Sequence, residues 1–209
     1  SVASYDDFHA DQIVMGIENG KHIMSEKPLC LNFKELKKIH QAKKKRPDIK
    51  LSSNHVLRAN SRFRHLKSKI NNGEFGDLFY FEGDYLWGRK EKLFQWRSEM
   101  DFYSIILGAA IHMIDLIMWL IRSKPVSVYA IGNKISTFDT KFKYNSFAVV
   151  ILKFENGVIA KITGNGGCIH PHYHGLKIFG TKKTAEQNFD NAFYLNSSEP
   201  ETELEIISE

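Results

Sequence analysis

The stretch that decides the first part of the fold runs Gly20-Lys21-His22-Ile23-Met24-Ser25-Glu26-Lys27-Pro28-Leu29. Residues 11–19 carry their apolar side chains at helical spacing, and Gly20 is a typical helix stop. Residues 22–25 then have the pattern of a short strand, which Pro28 ends. The stretch therefore predicts a helix followed at once by a strand.

A second helix and a second strand follow. Asn32 can cap this helix while Glu35 closes a capping box, and Pro47 with Asp48 breaks it. Residues 49–56 form a further predicted strand. The order helix, strand, helix, strand is typical of a parallel α/β sheet, which the chain enters in mid-fold.

From about Leu78 the pattern changes to long β-segments broken by a single long helix, residues 105–122. The predicted strands are residues 78–87, 126–135, 146–154, 158–164 and 174–179. Glu155-Asn156-Gly157 joins two of them as a hairpin. We therefore expect an α+β chain: the remnant of a parallel α/β domain, then a mostly antiparallel open β-sheet domain with helices on one face.

The composition excludes several classes of protein. Hydrophobic residues make up 43% and charged residues 25%, as in ordinary globular proteins. The net charge of +5 comes mostly from helix faces without groove-binding motifs, so no nucleic-acid partner is expected. Residues 105–121 are the longest apolar stretch, but they are too few and too interrupted for a membrane span. Two cysteines without paired spacing fit a reducing cytoplasm.

Lys27 is the first candidate for chemistry, because it follows the predicted strand and lies between Glu26 and Pro28. In open α/β sheets, ligands bind at the carboxyl ends of the strands. A lysine there can donate hydrogen bonds to a substrate hydroxyl or carry a proton, and the proline fixes the backbone that aims it. The competing interpretation is an exposed lysine in a loop.

His112 and Asp115 are the second candidates, three residues apart on one face of an otherwise apolar helix. Burying both costs free energy unless each finds a partner, so we expect a hydrogen bond between them or to a ligand. For a lone histidine, a core residue with satisfied hydrogen bonds is the default interpretation. The neighbouring carboxylate, with Gly108 and Ala109 leaving room for a ligand, favours a catalytic role.

Two runs of the sequence together resemble a known family. Residues 20–29 resemble a signature of the glucose-fructose oxidoreductase and inositol dehydrogenase family of NAD(P)-dependent oxidoreductases. Trp96-Arg97 and the helix around His112 resemble its second signature. The resemblance implies that residues 1–58 are the C-terminal part of a dinucleotide-binding Rossmann domain. Residues 59–209 are then the substrate-binding and oligomerisation domain.

By that resemblance, Lys27 and His112 are the catalytic residues of a dehydrogenase acting on a CH–OH group of a sugar, sugar derivative or cyclitol. NAD or NADP is the implied cofactor, with Glu26 and Lys27 beside its ribose or nicotinamide side. Lys27, Arg97 and Asp115 are expected at the substrate. We expect His112 and Lys27 to face one cleft between the domains, with Asp115 orienting the imidazole.

Departures from the family pattern bear on whether this chain has the implied dehydrogenase activity. Gly108 stands where many members have an aspartate four residues before the histidine, and residues 102–104 replace a run of glycines. The strand, GxGxxG turn and helix with which members open do not occur in this sequence. We expect such a truncated chain to bind NAD(P) weakly or not at all and to be inactive alone. The alternative is a non-catalytic sugar-binding or assembly module derived from the family.

Three histidines, His170, His172 and His174, alternate along the chain and share one face if this segment is a strand. No metal site is expected there, because zinc sites normally add a Cys, Asp or Glu from elsewhere. We predict instead a strand wall that faces the sugar or polyol substrate, with His172 reaching one of its hydroxyls.

The predicted strand of residues 146–154 is apolar at both odd and even positions, so both of its faces are apolar. Such a strand is covered on both sides. We expect helices on one side and a second subunit on the other, giving a homodimer through the open sheet face.

Overall fold

The computed structural model describes residues 1–200 and 202–207. The chain divides into two compact units, Ser1–His55 and a second that starts at Val56. The sequence prediction placed this boundary after residue 58. Within the described residues, no helix is both long enough and apolar enough to cross a bilayer.

The first unit is a small parallel sheet with two helices, as the sequence predicted. Strand β1 (Ile23–Ser25) pairs in parallel with β2 (Leu51–Ser53), and Val2 forms a parallel bridge to Ser25. The helices are α1 (His9–Glu18) and α2 (Phe33–Lys45). The buried core of this unit includes Ile13, Ile17, Ile23, Ile39 and Ile49.

Asn32 caps α2, as the sequence predicted. The backbone N–H of Glu35 donates to Oδ1 of Asn32 at 3.0 Å, and Oε2 of Glu35 accepts from the backbone N–H of Leu31 at 2.8 Å. These two bonds fix the start of the helix. They therefore also fix the end of the loop that carries Lys27 away from β1.

The second unit is an eight-stranded sheet with helices, which confirms the predicted α+β class. In chain order its strands are β3 (Leu78–Leu86), β4 (Pro125–Asn133), β5 (Phe147–Phe154), β6 (Ile159–Asn165), β7 (Tyr173–Gly180), β8 (Thr184–Gln187), β9 (Ala192–Leu195) and β10 (Glu205–Ile206). Across the sheet the order is β10-β9-β8-β7-β3-β6-β5-β4. Among the described strands of this sheet, β3 and β6 alone pair in parallel.

The helices of the second unit pack on one face of this sheet. They are α3 (Ser61–Asn71), α4 (Trp96–Glu99), a π-helical segment (Ile106–Ala110) and α5 (Ile111–Ile121), with short 3-10 turns at Val56–Ala59, Lys90–Phe94 and Ile135–Thr137. The π-helical segment runs directly into α5, so the predicted long helix begins with a wider turn. A Cβ at Gly83 of β3 would lie 2.9 Å from Cδ1 of Ile117. Glycine therefore lets α5 approach the middle of the sheet closely.

The open face of the sheet is mixed in character, which corrects the prediction of an apolar face. Its middle carries ion pairs between neighbouring strands, Glu82 with Lys161 at 3.2 Å and Lys177 with Glu186 at 3.1 Å. Toward the β4 edge the face is apolar and exposed, at Tyr129, Ile131, Ile151 and Ile159. The predicted alternation of side chains between the two faces of β5 is present, but other strands of the sheet bring charged side chains to its open face.

Candidate active site

Lys27 lies two residues beyond the end of β1 and is partly buried. Before it, Oε1 of Glu26 accepts a hydrogen bond from Nδ2 of Asn54 at 2.6 Å, and Asn54 directly follows β2. After it, Nδ1 of His9 donates to the carbonyl oxygen of Pro28 at 2.6 Å. Both neighbours of Lys27 are therefore held in place, at the carboxyl ends of two adjacent parallel strands.

This edge of the small sheet suits the ribose or nicotinamide side of a dinucleotide. A carboxylate at a strand end can accept hydrogen bonds from ribose hydroxyls, and the bond from Asn54 fixes the carboxylate of Glu26. Sequence reasoning named Glu26 but missed Asn54. No signal set Asn54 apart, because it lay inside the predicted strand of residues 49–56, whereas the observed strand ends at Ser53.

His112 is buried in the first turn of α5. With Tyr85, His172 and His174 it forms a group of four rings that we call the histidine cluster. The imidazole of His112 stacks on Tyr85, with ring centroids 5.6 Å apart and 13° between the planes. The ring centroid of His174 lies 4.8 Å from that of Tyr85 and 6.3 Å from that of His112. The ring centroids of His172 and His174 are 5.0 Å apart. Helix α5, strand β3 and the start of β7 thus bring together residues that are distant in the sequence.

Burial keeps two members of the histidine cluster uncharged at neutral pH. Desolvation lowers the pKa of His174 to about 4 and also lowers the pKa of His172, and the positive charge of Arg89 acts in the same direction on both. Nδ1 of His172 donates to the carbonyl oxygen of Trp87 at 2.9 Å, which leaves Nε2 as the acceptor of a neutral ring. Neutral imidazoles that can accept hydrogen bonds suit a ligand rich in hydroxyl groups.

His170 lies apart from the other two histidines, which corrects the predicted wall of three. Regular β7 begins only at Tyr173, and the alternation does not extend back across Pro171. The ring of His170 packs instead against Phe189 and Tyr173, with centroids 5.4 and 6.4 Å away. Within the part of the chain that the structure describes, no group of three His, Cys, Asp or Glu side chains could hold a metal ion.

Arg97 borders the histidine cluster through two tryptophans. Its guanidinium lies 4.2 Å from the ring centroid of Trp96 and 5.0 Å from that of Trp87. Trp87 in turn meets Tyr85 edge-to-face, with centroids 6.5 Å apart. The Trp-Arg pair singled out in the sequence therefore packs beside the cluster that holds His112.

Asp115 forms a two-pronged ion pair with Arg58. Its Oδ2 accepts from Nε of Arg58 at 2.7 Å and its Oδ1 from Nη2 at 2.5 Å. The side chain of Asp115 is only 13% exposed, so this arginine offsets much of the cost of burying the carboxylate. That Asp115 also orients His112 remains a prediction.

Tyr103 occupies the space beside Gly108, a contact that sequence reasoning missed. A Cβ built on Gly108 would lie 2.7 Å from Cζ of Tyr103, and closer still to its hydroxyl. Tyr103 is itself buried, edge-to-face with Phe142 at 5.6 Å. A phenol therefore stands where a side chain of residue 108 would begin, one turn before His112. The signal available in the sequence was Tyr103 itself, because it lies in residues 102–104, where the family resemblance implies glycines.

Comparison with known proteins identifies the family of this fold. Residues 63–186, more than half of the chain, match the GFO/IDH/MocA C-terminal domain. Residues 1–55 match the NAD-binding Rossmann fold of the oxidoreductase family. The chain belongs to the GFO/IDH/MocA oxidoreductase family. The resemblance inferred from the two signatures is thereby confirmed.

Individual relatives are distant in sequence. The chain is 23% identical to myo-inositol 2-dehydrogenase of Thermotoga maritima over 193 residues, which cover 87% of this chain and 53% of that protein. It is similar to the crystal structure of myo-inositol 2-dehydrogenase from Lactobacillus plantarum, with a TM-score of 0.82 and 23% identity over 99% of this chain and 62% of that one. A levoglucosan dehydrogenase in complex with NADH and levoglucosan gives a TM-score of 0.84 at 21% identity, covering 100% and 60%. These structural likenesses confirm the fold, and the chain spans about half the length of the curated relatives it matches.

Proposed function

We propose that this chain supplies the substrate side of an NAD(P)-dependent dehydrogenase that acts on a CH–OH group of a sugar, sugar derivative or cyclitol. The observation that carries the proposal is the histidine cluster, in which a buried histidine stacks on a tyrosine beside two further histidines. Such polar rings bind hydroxyl groups and offer a base for one of them. Membership of an oxidoreductase family supports the same reaction class.

Each residue has a role in this proposal. His112 takes the proton of the reacting hydroxyl, and Lys27 serves as a hydrogen-bond donor. A bound NAD(P) would supply the hydride acceptor for the carbon that carries the reacting hydroxyl. Glu26, held by Asn54, contacts the ribose or nicotinamide side of the cofactor. His172 binds a second hydroxyl of the substrate.

Ligand-observed NMR tests the substrate side on the chain itself. We expect saturation transfer from the protein to at least one member of a panel of inositols and hexoses. The transfer should weaken in a His172→Ala variant, because that change removes a hydrogen-bonding ring from the cluster. A His40→Ala variant serves as the control, since His40 is exposed on α2. Absence of transfer to every ligand in the panel would count against the proposal.

The chain alone is predicted to bind NAD(P) weakly or not at all and to show no turnover. Its first unit offers Glu26 and Lys27 at the strand ends, but the sequence contains no GxGxxG turn to hold the pyrophosphate at a helix N-terminus. Titration calorimetry with NAD⁺ and NADP⁺ measures this directly. Binding in the micromolar range would show that the described edge suffices to hold the cofactor.

A second function, binding of a sugar without chemistry, is favoured by one observation. The phenol of Tyr103 fills the space beside Gly108, so this helix turn presents no carboxylate to the site. A fusion protein distinguishes the two functions. In it, the part of the Thermotoga maritima relative that precedes the matched region is joined ahead of Ser1. Reduction of NAD⁺ by a bound polyol supports the dehydrogenase. Polyol binding without any reduction supports the binding module.

The open sheet face is proposed as the interface of a homodimer. Its β4 edge exposes Tyr129 by 62% and Ile151 by 42%, side by side on paired strands. A self-complementary face would bury these side chains together with the flanking ion pairs. We therefore expect light scattering to give twice the mass of the chain for the wild type and the monomer mass for Ile151→Glu.

The matched control for the interface is Phe33→Glu. Phe33 is 72% exposed at the start of α2, in the first unit, where a glutamate is well tolerated. This variant should keep the mass of the dimer. A wild-type chain that is monomeric at the same concentration would rule out the proposed interface.

A further inference from the structure

The histidine cluster is bordered by positive charge. Arg89 lies just past the end of β3, where Gly88, with φ +61°, turns the chain against the segment before β7. A Cβ at Gly88 would meet the backbone nitrogen of His172 at 2.7 Å, so the turn requires glycine and brings Arg89 close to the cluster. The charge of Arg89 lowers the pKa of both His172 and His174.

Two further cations lie beside the same rings. Burial raises the pKa of Tyr85, and the charges of Arg89 and Arg97, together with a side-chain hydrogen bond from Arg89, partly offset this rise. Lys92 adds to the positive charge felt by His172. The charges that act on these three rings are therefore all cationic.

Arg89 carries an unused donor at this place. Its Nε is buried, and it makes no hydrogen bond to any of the described residues. A buried donor of a charged group that lacks an acceptor is costly, and a bound anion removes that cost. The edge formed by Nε and a terminal nitrogen of an arginine matches two oxygens of a carboxylate or phosphate.

Arg97 is held rigidly enough to support the same ligand. Its guanidinium lies over the rings of Trp96 and Trp87, with centroid distances of 4.2 and 5.0 Å, so little side-chain freedom is lost on binding. By contrast, Arg46 in the first unit already has its carboxylate partner, Asp48, at 2.9 Å. Unlike that surface pair, the arginines at the cluster are placed to meet a charge brought by a ligand.

We infer that the substrate carries an anionic group, a carboxylate or a phosphate, which Arg89 binds with support from Arg97 while the histidine cluster binds the hydroxyls. This inference rests on the proposed function and narrows it from polyols in general to acidic sugars and cyclitols. The neutral histidines contact hydroxyl groups and the arginines contact the charged substituent, so the two ends of the ligand are recognised by different chemistry.

The experiment observes the cluster directly. The chain is labelled with ¹³C-histidine, the signals of His172 and His174 are assigned with His→Gln variants, and D-glucuronate, D-glucose 6-phosphate and D-glucose are titrated in turn. The two anions separate the carboxylate source from the phosphate source. We expect at least one anion to shift both signals at a concentration at least about tenfold below that needed for D-glucose, since a charge-assisted hydrogen bond adds affinity that a neutral sugar lacks.

Variants locate the effect at Arg89. Arg89→Gln should remove the tenfold preference, and Arg89→Lys should keep part of it, because the charge remains while the two-pronged donor is lost. Arg46→Gln is the matched control, with the same change of charge in the first unit, and should keep the preference. The lysine variant serves if the glutamine variant fails to fold, as judged by its thermal unfolding.

The outcomes separate the inference from the proposed function. If D-glucose shifts the signals at the same concentrations as the anions, or if Arg46→Gln weakens the preference as much as Arg89→Gln, the inference is wrong and the polyol site stands. If neither the anions nor neutral sugars and inositols move the histidine signals, the proposed substrate site itself is wrong. A preference that disappears only with Arg89 supports the inference.

Discussion

Replacing His112 with alanine is expected to lower kcat by about 10²–10⁴-fold, the usual contribution of a general acid–base residue. The measurement is NAD⁺ reduction in the fusion that supplies the preceding segment of a relative ahead of Ser1. His112 is buried and stacked on Tyr85, so the alanine variant also leaves a cavity. A His112→Asn variant keeps most of the volume but cannot transfer the proton, and it should be nearly as slow.

His40→Ala provides the control for this prediction, because it removes an exposed histidine from the first unit. It should leave kcat unchanged. Thermal unfolding of the asparagine variant shows whether the fold survives. Turnover that is unchanged in a folded His112→Asn protein would remove His112 from the proposed mechanism, whatever the alanine variant does.

Local features of the fold could be predicted because they depend on residues close in sequence. The cap of α2 needs only Asn32 and Glu35, three positions apart, and its predicted bond from the backbone of Glu35 to Asn32 is present, while the carboxylate of Glu35 accepts from the backbone of Leu31 instead of that of Asn32. Pairing across the sheet depends instead on residues far apart. Nothing in the alternation of β3 or β6 shows that they lie side by side in parallel, with Tyr80 opposite Ile159.

The same distinction applies to the candidate site. His112 and Lys27 were named from motifs, but the partners that give His112 its environment come from β3 and β7. Tyr85 was only one aromatic residue in a predicted strand, and its stacking on His112 depends on how α5 packs against the sheet. His174 was grouped with His170 by alternation, yet the chain before Tyr173 is not regular strand, so the two rings separate.

Gly108→Asp is expected to destabilise the second unit by about 3 kcal/mol or more. The added Cβ would lie 2.7 Å from Cζ of the buried Tyr103, and overpacking of this kind costs about 1–3 kcal/mol. The carboxylate would also be placed in a buried turn beside a phenol, which adds a desolvation cost. Urea unfolding should show a lower midpoint with an unchanged slope.

A double variant shows whether the two departures from the family pattern depend on each other. Tyr103→Gly alone leaves a cavity and costs about 3–5 kcal/mol, as large-to-small changes in cores do. In the pair Tyr103→Gly with Gly108→Asp, the new side chain enters the space that the ring has left. The loss should therefore be smaller than the sum of the single losses by about 1 kcal/mol or more. Phe142→Leu paired with Gly108→Asp is the control, because the ring centroid of Phe142 lies 5.6 Å from that of Tyr103, whereas the three atoms nearest a Cβ at Gly108 all belong to Tyr103. If both pairs are additive, Tyr103 does not decide which side chains residue 108 can carry, and the glycine has another cause.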